Sequence, residues 1–134
     1  MDVVLMLHSI VRWLIVLAGV IGLGRYALVL AGRAAGHRLD RSVMSAYTGL
    51  LDLNVLLGLI YLLWSGLATP IGFPFQRIEH AVTNVAAVAV AHIFAARARR
   101  AADARAMARD SLLGMVISLG LVVVAVAMIG GWSR

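Results

Sequence analysis

The chain has 134 residues, 63% of them hydrophobic and only 13% charged, with a mean hydropathy of +0.97. A soluble domain of this size keeps about a quarter of its residues charged, so too little polar surface is available to cover a water-soluble globule. There is no cysteine, which excludes disulfides, zinc–thiolate sites, iron–sulfur ligation and a cysteine nucleophile; all twelve basic residues are Arg, and the formal net charge is +6.

A membrane-crossing helix needs roughly 20 mostly apolar residues. Four segments qualify, at about 3–31, 43–67, 78–96 and 111–131. The first is too long for a signal-peptide h-region, has Asp2 and no basic residue ahead of it, and is interrupted by Arg12, so it reads as a span. Between the first two lies GRAAGHRLDRS (32–42), where Gly32 and Gly36 stop a helix. Next comes ATPIGFPFQR (68–77), which holds both prolines, Pro70 and Pro74. The third connection, RARRAADARAMARD (97–110), is expected to prolong the third helix into water, with Asp110-Ser111 capping the fourth. The fold class expected is therefore all-α: one domain, an integral membrane four-helix up-down bundle.

Arginine counting orients it. Arg33, Arg38, Arg41, Arg97, Arg99, Arg100, Arg105 and Arg109 fall on one side, and Arg77 and Arg134 on the other. The positive-inside rule places the eight in the cytoplasm and both termini outside, as a multi-pass protein of the bacterial inner membrane. Trp64 and Trp132 then belong to the outer aromatic belt. The same reasoning assigns the basic charge to the lipid bilayer and membrane orientation, and no nucleic acid is expected as partner.

Polar residues inside spans are expensive and carry the functional information. His8 and Arg12 share a face of the first helix, a line that continues to Gly19 and Tyr26. His80 shares a face of the third with Thr83, Asn84, Ala87 and Ala91, and Glu79 precedes it as a first-turn carboxylate. His8 and His80 are expected at similar depth. Two imidazoles on facing helices of a bundle can clamp a haem iron, the small-residue face beside His80 leaves room for a porphyrin, and Arg12 can pair with a propionate. Set against this, a single histidine near a helix end is more often interfacial than a ligand.

His92 lies about 18 Å along the axis from His80 and about 120° around it. It is expected to form a buried pair with Asp52, read as interhelical glue, as a proton site, or as a further ligand to the metal. Tyr47, Asn54, Gly58, Tyr61 and Ser65 form a stripe on the second helix, read as helix packing in preference to one wall of a quinone pocket. Arg25 is expected to snorkel to the interface, His37 to be solvated, and the last helix, nearly without polar residues, to serve for packing or docking.

LHSIVRW (7–13), RLDR (38–41), LDLNVLLGL (51–59), IEHAV (78–82) and AHIFAARARR (91–100) together resemble a group of small four-helix bacterial membrane proteins described as cytochrome b-like, of the cytochrome b561-type helical bundle. The resemblance covers about three quarters of the chain. It implies haem b as cofactor, His8 and His80 as the matching histidines, and Arg12, Asp52 and Glu79 as matching polar positions. His80 and His92 are closer in sequence than the paired ligands on one helix of two-haem bundles, which weighs against a second haem.

The expected function is haem b-binding electron transfer, between quinol and a redox partner. The alternative is a non-catalytic accessory subunit of a larger respiratory or photosynthetic complex, which makes other membrane subunits expected partners. A transporter using Asp52 and His92 is disfavoured because no inverted repeat is visible. No hydrolase, P-loop or dinucleotide-binding fingerprint occurs, so a stand-alone enzyme is not expected.

Overall fold

A computed structural model describes residues 1–133; Arg134, counted above with the outer arginines, lies outside them. Four helices follow in order: α1 (Asp2–Leu30), α2 (Leu39–Ala68), α3 (Phe75–Arg99) and α4 (Ala104–Met128), with a 3-10 turn at Gly131–Ser133. All four are long and apolar enough to cross a membrane.

Local chemistry sets the ends. Gly32 takes φ +71 just past α1, a left-handed conformation that costs glycine nothing. Thr69 is extended at the end of α2, as the residue before Pro70 must be. Pro74 precedes the first turn of α3, where a missing N–H is harmless. Two expected boundaries are corrected. The expected second span opened at residue 43, whereas α2 starts at Leu39, because Asp40 binds the chain ahead of it. The 97–110 segment splits: α3 stops at Arg99, and the N-cap of α4 is Asp103, whose Oδ1 accepts from Ala106 N at 2.8 Å. Asp110 lies buried inside α4, beside Arg97 and Arg109.

Each helix packs on its two neighbours around the bundle: α1 on α2 and α4, α3 on α2 and α4. Successive helices run antiparallel, since the early residue His8 meets Asn54 and the late residue Arg25 meets Asp40. Ile15, Tyr26, Tyr47, Leu51, Met115 and Val122 fill the core. The alanine face of α3 (Ala87, Ala91, Ala95, Ala98) is buried, and Gly114 brings α4 so close that a Cβ there would lie 2.6 Å from Phe94 Cβ. Helix α4 is the most enclosed of the four, a packing element as expected. Large apolar side chains such as Val3, Leu17, Leu56 and Val82 cover the outside, 63%, 56%, 55% and 63% exposed.

At one end of the bundle Arg25 and Asp40 tie α1 to α2. Arg25 Nε donates to Asp40 Oδ1 at 2.7 Å and Arg25 Nη2 to Ala35 O at 2.6 Å. Tyr26 Oη donates to Asp40 O at 2.5 Å and His37 N to Asp40 Oδ2 at 2.8 Å. Arg25 therefore pairs within the protein instead of snorkelling free, and His37 joins the connection through its backbone N–H and through its ring Nδ1, which accepts from Leu39 N at 3.1 Å.

Candidate functional site

The opposite end holds a cavity of about 410 Å³ between α2 and α3, bounded also by α1, the end of α4 and the α2–α3 connection. That lies in the usual range for small-molecule sites, about 300–1,000 Å³. His8, His80 and Asn84 line it, so three of the residues singled out above meet at one place.

The two imidazole rings stand 6.4 Å apart, centre to centre, with planes inclined by 74°. Each is held at its Nδ1. His8 Nδ1–H donates to Asn54 O at 2.9 Å. That carbonyl belongs to the interior of α2, and the side chain four residues on would normally cover it. The residue there is Gly58, and a Cβ built on it would sit 3.0 Å from His8 Cε1. His80 Nδ1–H donates to Ala125 O at 2.7 Å. Ala125 is in the last turn of α4, where carbonyls lack partners within the helix. Both histidines thus use structural acceptors for Nδ1, which leaves Nε2 as the lone-pair nitrogen. Asn84 Nδ2 donates to His80 O at 2.8 Å and reaches His80 Nε2 at the longer distance of 3.3 Å.

This arrangement has the features of a bis-imidazole clamp. Two imidazoles this close, each anchored at Nδ1, could hold one metal ion between them through Nε2. Metal-binding histidines typically fix the second ring nitrogen on a carbonyl or carboxylate, as both do here.

The rest of the wall includes Arg77, which the sequence offers only as an outer arginine, and part of the α2 stripe. Arg77 lines the cavity, its Nη1 donating to buried Ser65 Oγ at 3.0 Å and its guanidinium carbon lying 5.6 Å from the centre of the Tyr61 ring. Asn54 is 5% exposed, and its Oδ1 has no hydrogen-bond partner among the described residues. A buried amide oxygen in a cavity wall is a ready acceptor for a ligand or water. The stripe on α2 thereby divides. Asn54, Gly58 and Tyr61 form a cavity wall, contrary to the packing expectation, while Tyr47 packs, its hydroxyl 2.7 Å from Ser118 Oγ.

Arg12, expected beside His8, does not line the cavity. It is buried, its guanidinium carbon 5.5 Å from the Trp13 ring centre and 5.3 Å from that of Trp132. It pins the end of the chain to α1 (the two indoles are 5.4 Å apart), and the cation offered to a ligand is Arg77. Glu79 is partly buried and outside the lining.

His92 is also remote from the cavity. Its Nε2 is 2.7 Å from Asp52 Oδ1, so the expected pair forms, but it is not buried: the two side chains are 46% and 49% exposed on the outer surface where α2 meets α3. No third ligating group joins them; no cluster of three or more His, Cys, Asp or Glu side chains occurs among the described residues.

No family description, curated protein or solved structure matches this chain.

Proposed function

We propose that the chain is a multi-pass protein of the bacterial inner membrane that binds haem b through His8 and His80 and transfers electrons between quinol and a redox partner. The observation that carries the reading is the 6.4 Å separation of two imidazoles whose Nδ1 atoms are both engaged by backbone carbonyls. When bound, haem would supply one-electron chemistry; the protein would hold it, orient it and set its electrostatics.

The roles of the chain's own residues follow. His8 and His80 would hold the metal through Nε2, the nitrogen that their bonds to backbone carbonyls leave open. Asn84 holds its amide on His80 O while releasing the weaker 3.3 Å contact to the ring. Arg77 balances an anionic group at the cavity, a part given to Arg12 on sequence alone. Asn54 Oδ1 accepts from a hydroxyl such as that of a quinol, or from a water. The bilayer assignment draws on the four long apolar helices and the apolar exterior. The arginine asymmetry supports an orientation with the Asp40 end in the cytoplasm and with both termini and the cavity near the outer surface.

A second reading, an accessory subunit of a larger membrane complex, is favoured by one observation, the half-exposed Asp52–His92 pair on an otherwise apolar surface. It is compatible with the first.

The absorption spectrum of the detergent-purified protein tests the haem assignment. A Soret band with sharp reduced α and β bands is expected, lost in His8→Ala and in His80→Ala and retained in His92→Ala. A colourless protein purified after haem-supplemented expression, or a band indifferent to residues 8 and 80, refutes it.

A further inference from the structure

We propose that the outer face shared by α2 and α3 binds a second copy of this chain, with Asp52 and His92 of the two copies closing a four-membered carboxylate–imidazole ring. The proposal rests on the membrane reading but not on the haem.

Asp52 is near the middle of α2, and its partner His92 is well inside α3. Both side chains are about half exposed. Ionisable residues at that depth are costly in hydrocarbon, and they nearly always face protein or a water-filled cavity. Something other than lipid therefore covers them. Their remaining valences are complementary: beyond the 2.7 Å bond, no other hydrogen bond forms at Asp52 Oδ2 or His92 Nδ1 among the described residues. Oδ2 is an acceptor, and Nδ1 is a donor when His92 is an imidazolium, the state that a carboxylate on each side of the ring favours, so the closed ring holds two imidazolium and two carboxylate groups with no net charge.

Two copies inserted in the same orientation are related by a two-fold axis along the bilayer normal. Asp52 and His92 touch, so they lie at one depth, and the axis brings Asp52 of each copy to the level of His92 of the other. His92 Nδ1–H of one copy then donates to Asp52 Oδ2 of the second, and the reverse, an isologous contact that closes on itself. A different polypeptide would need an unrelated surface with the same alternation.

The flanking surface suits such packing. Gly49, Asp52 and Leu56 on α2, and Val85, Ala89 and His92 on α3, repeat at three- and four-residue spacing, the period of helices that pair with a slight left-handed crossing. All six are exposed, and a Cβ on Gly49 would meet nothing within 4 Å. Small residues on exposed spans admit a neighbouring backbone.

The chain has no cysteine, so single thiols report cleanly. Two differently tagged copies, one Leu56→Cys and the other Ala89→Cys, are co-expressed and oxidised in their native membranes. A disulfide-linked pair carrying both tags is expected. The pairing of Leu17→Cys with Val124→Cys, exposed on α1 and α4, is expected to give none. Asp52→Ala in both copies should reduce the linked band to that control level. The proposal is overturned if the two pairings link equally, if Asp52→Ala leaves the band unchanged, or if residue 56 links to a different polypeptide. Carbonate extraction of the same membranes separates the failures: release of the protein removes the membrane reading itself, whereas retention without the linked band removes only the dimer.

Discussion

The His8 ring occupies space that Gly58 leaves open. Without a side chain at position 58, the Asn54 carbonyl is accessible from the side of α2, and His8 Nδ1 reaches it at 2.9 Å. A methyl at 58 would lie 3.0 Å from His8 Cε1, a contact tight enough to push the ring by a few tenths of an ångström. Gly58→Ala is therefore expected to lower haem retention and shift the Soret maximum, and Gly58→Leu to abolish binding. Gly24→Ala is the control, because a Cβ there meets nothing within 4 Å. It should leave the spectrum unchanged and gain the roughly 1 kcal/mol by which alanine exceeds glycine in a helix interior. Spectra equal in all three variants would separate His8 from the cofactor.

Arg77 is the arginine in the cavity wall, held by Ser65 and stacked on Tyr61. A positive charge beside a haem favours the reduced form, which carries one positive charge fewer. Arg77→Gln is expected to lower the midpoint potential measured by redox titration, and Arg77→Lys to lower it less, because the charge remains while the planar stack and the bond to Ser65 are weakened. Arg12→Gln removes a cation packed beside two indoles and outside the cavity lining, so it should move the potential less than Arg77→Gln. The reverse order would return the propionate role to Arg12.

The elements and the pair of histidines were legible in the sequence because each rests on a local or periodic signal. Spans follow from uninterrupted apolar length, and His8 and His80 were placed at one depth by counting along antiparallel helices. What escaped depends on which way a helix is rotated about its axis. The spans are apolar nearly all round, so periodicity does not distinguish the face towards lipid from the face towards the bundle. Asp52 and His92 were therefore paired correctly but placed inside, and Arg12 was turned towards the cavity. Arg77 went unnoticed because it reads as a boundary residue next to Pro74, although Pro74 is what starts α3 early enough to carry it inward. The cap of α4 lies seven residues before the expected Asp110: Asp103 is followed directly by helix, whereas Asp110 is already inside one.

Asp40 joins two helices at the end away from the cavity. Its carboxylate accepts from Arg25 and from His37 N, and its carbonyl accepts from Tyr26. Removing one partner of a buried charge pair costs about 3–5 kcal/mol. The Arg25 side chain is 28% exposed, so solvent screens part of that cost, and a loss of stability smaller than for a fully buried pair is expected for Asp40→Ala. Equilibrium unfolding in mixed micelles measures it. Asp40 is fourteen residues from Asn54, about 21 Å along the helix, so the variant's absorption spectrum should match that of the unaltered protein. A spectral change without loss of stability would contradict the division of the bundle into a tied end and a binding end.

Tyr47 and Ser118 test the same division from the core. Both are 0% exposed, and their hydroxyls are 2.7 Å apart across the bundle. In membranes such interhelical bonds average about 0.6 kcal/mol, with a maximum near 1.7, because the separated helices find other partners. Tyr47→Phe keeps the ring that fills the core, and it leaves Ser118 Oγ with the long 3.5 Å contact to Met115 O. A loss of about 1 kcal/mol is expected, Ser118→Ala should cost a similar amount, and the double variant should cost less than their sum because the two changes remove one bond. Strict additivity in that cycle would show that the hydroxyls contribute independently, through solvation or packing, and that α2 and α4 are held by side-chain volume alone.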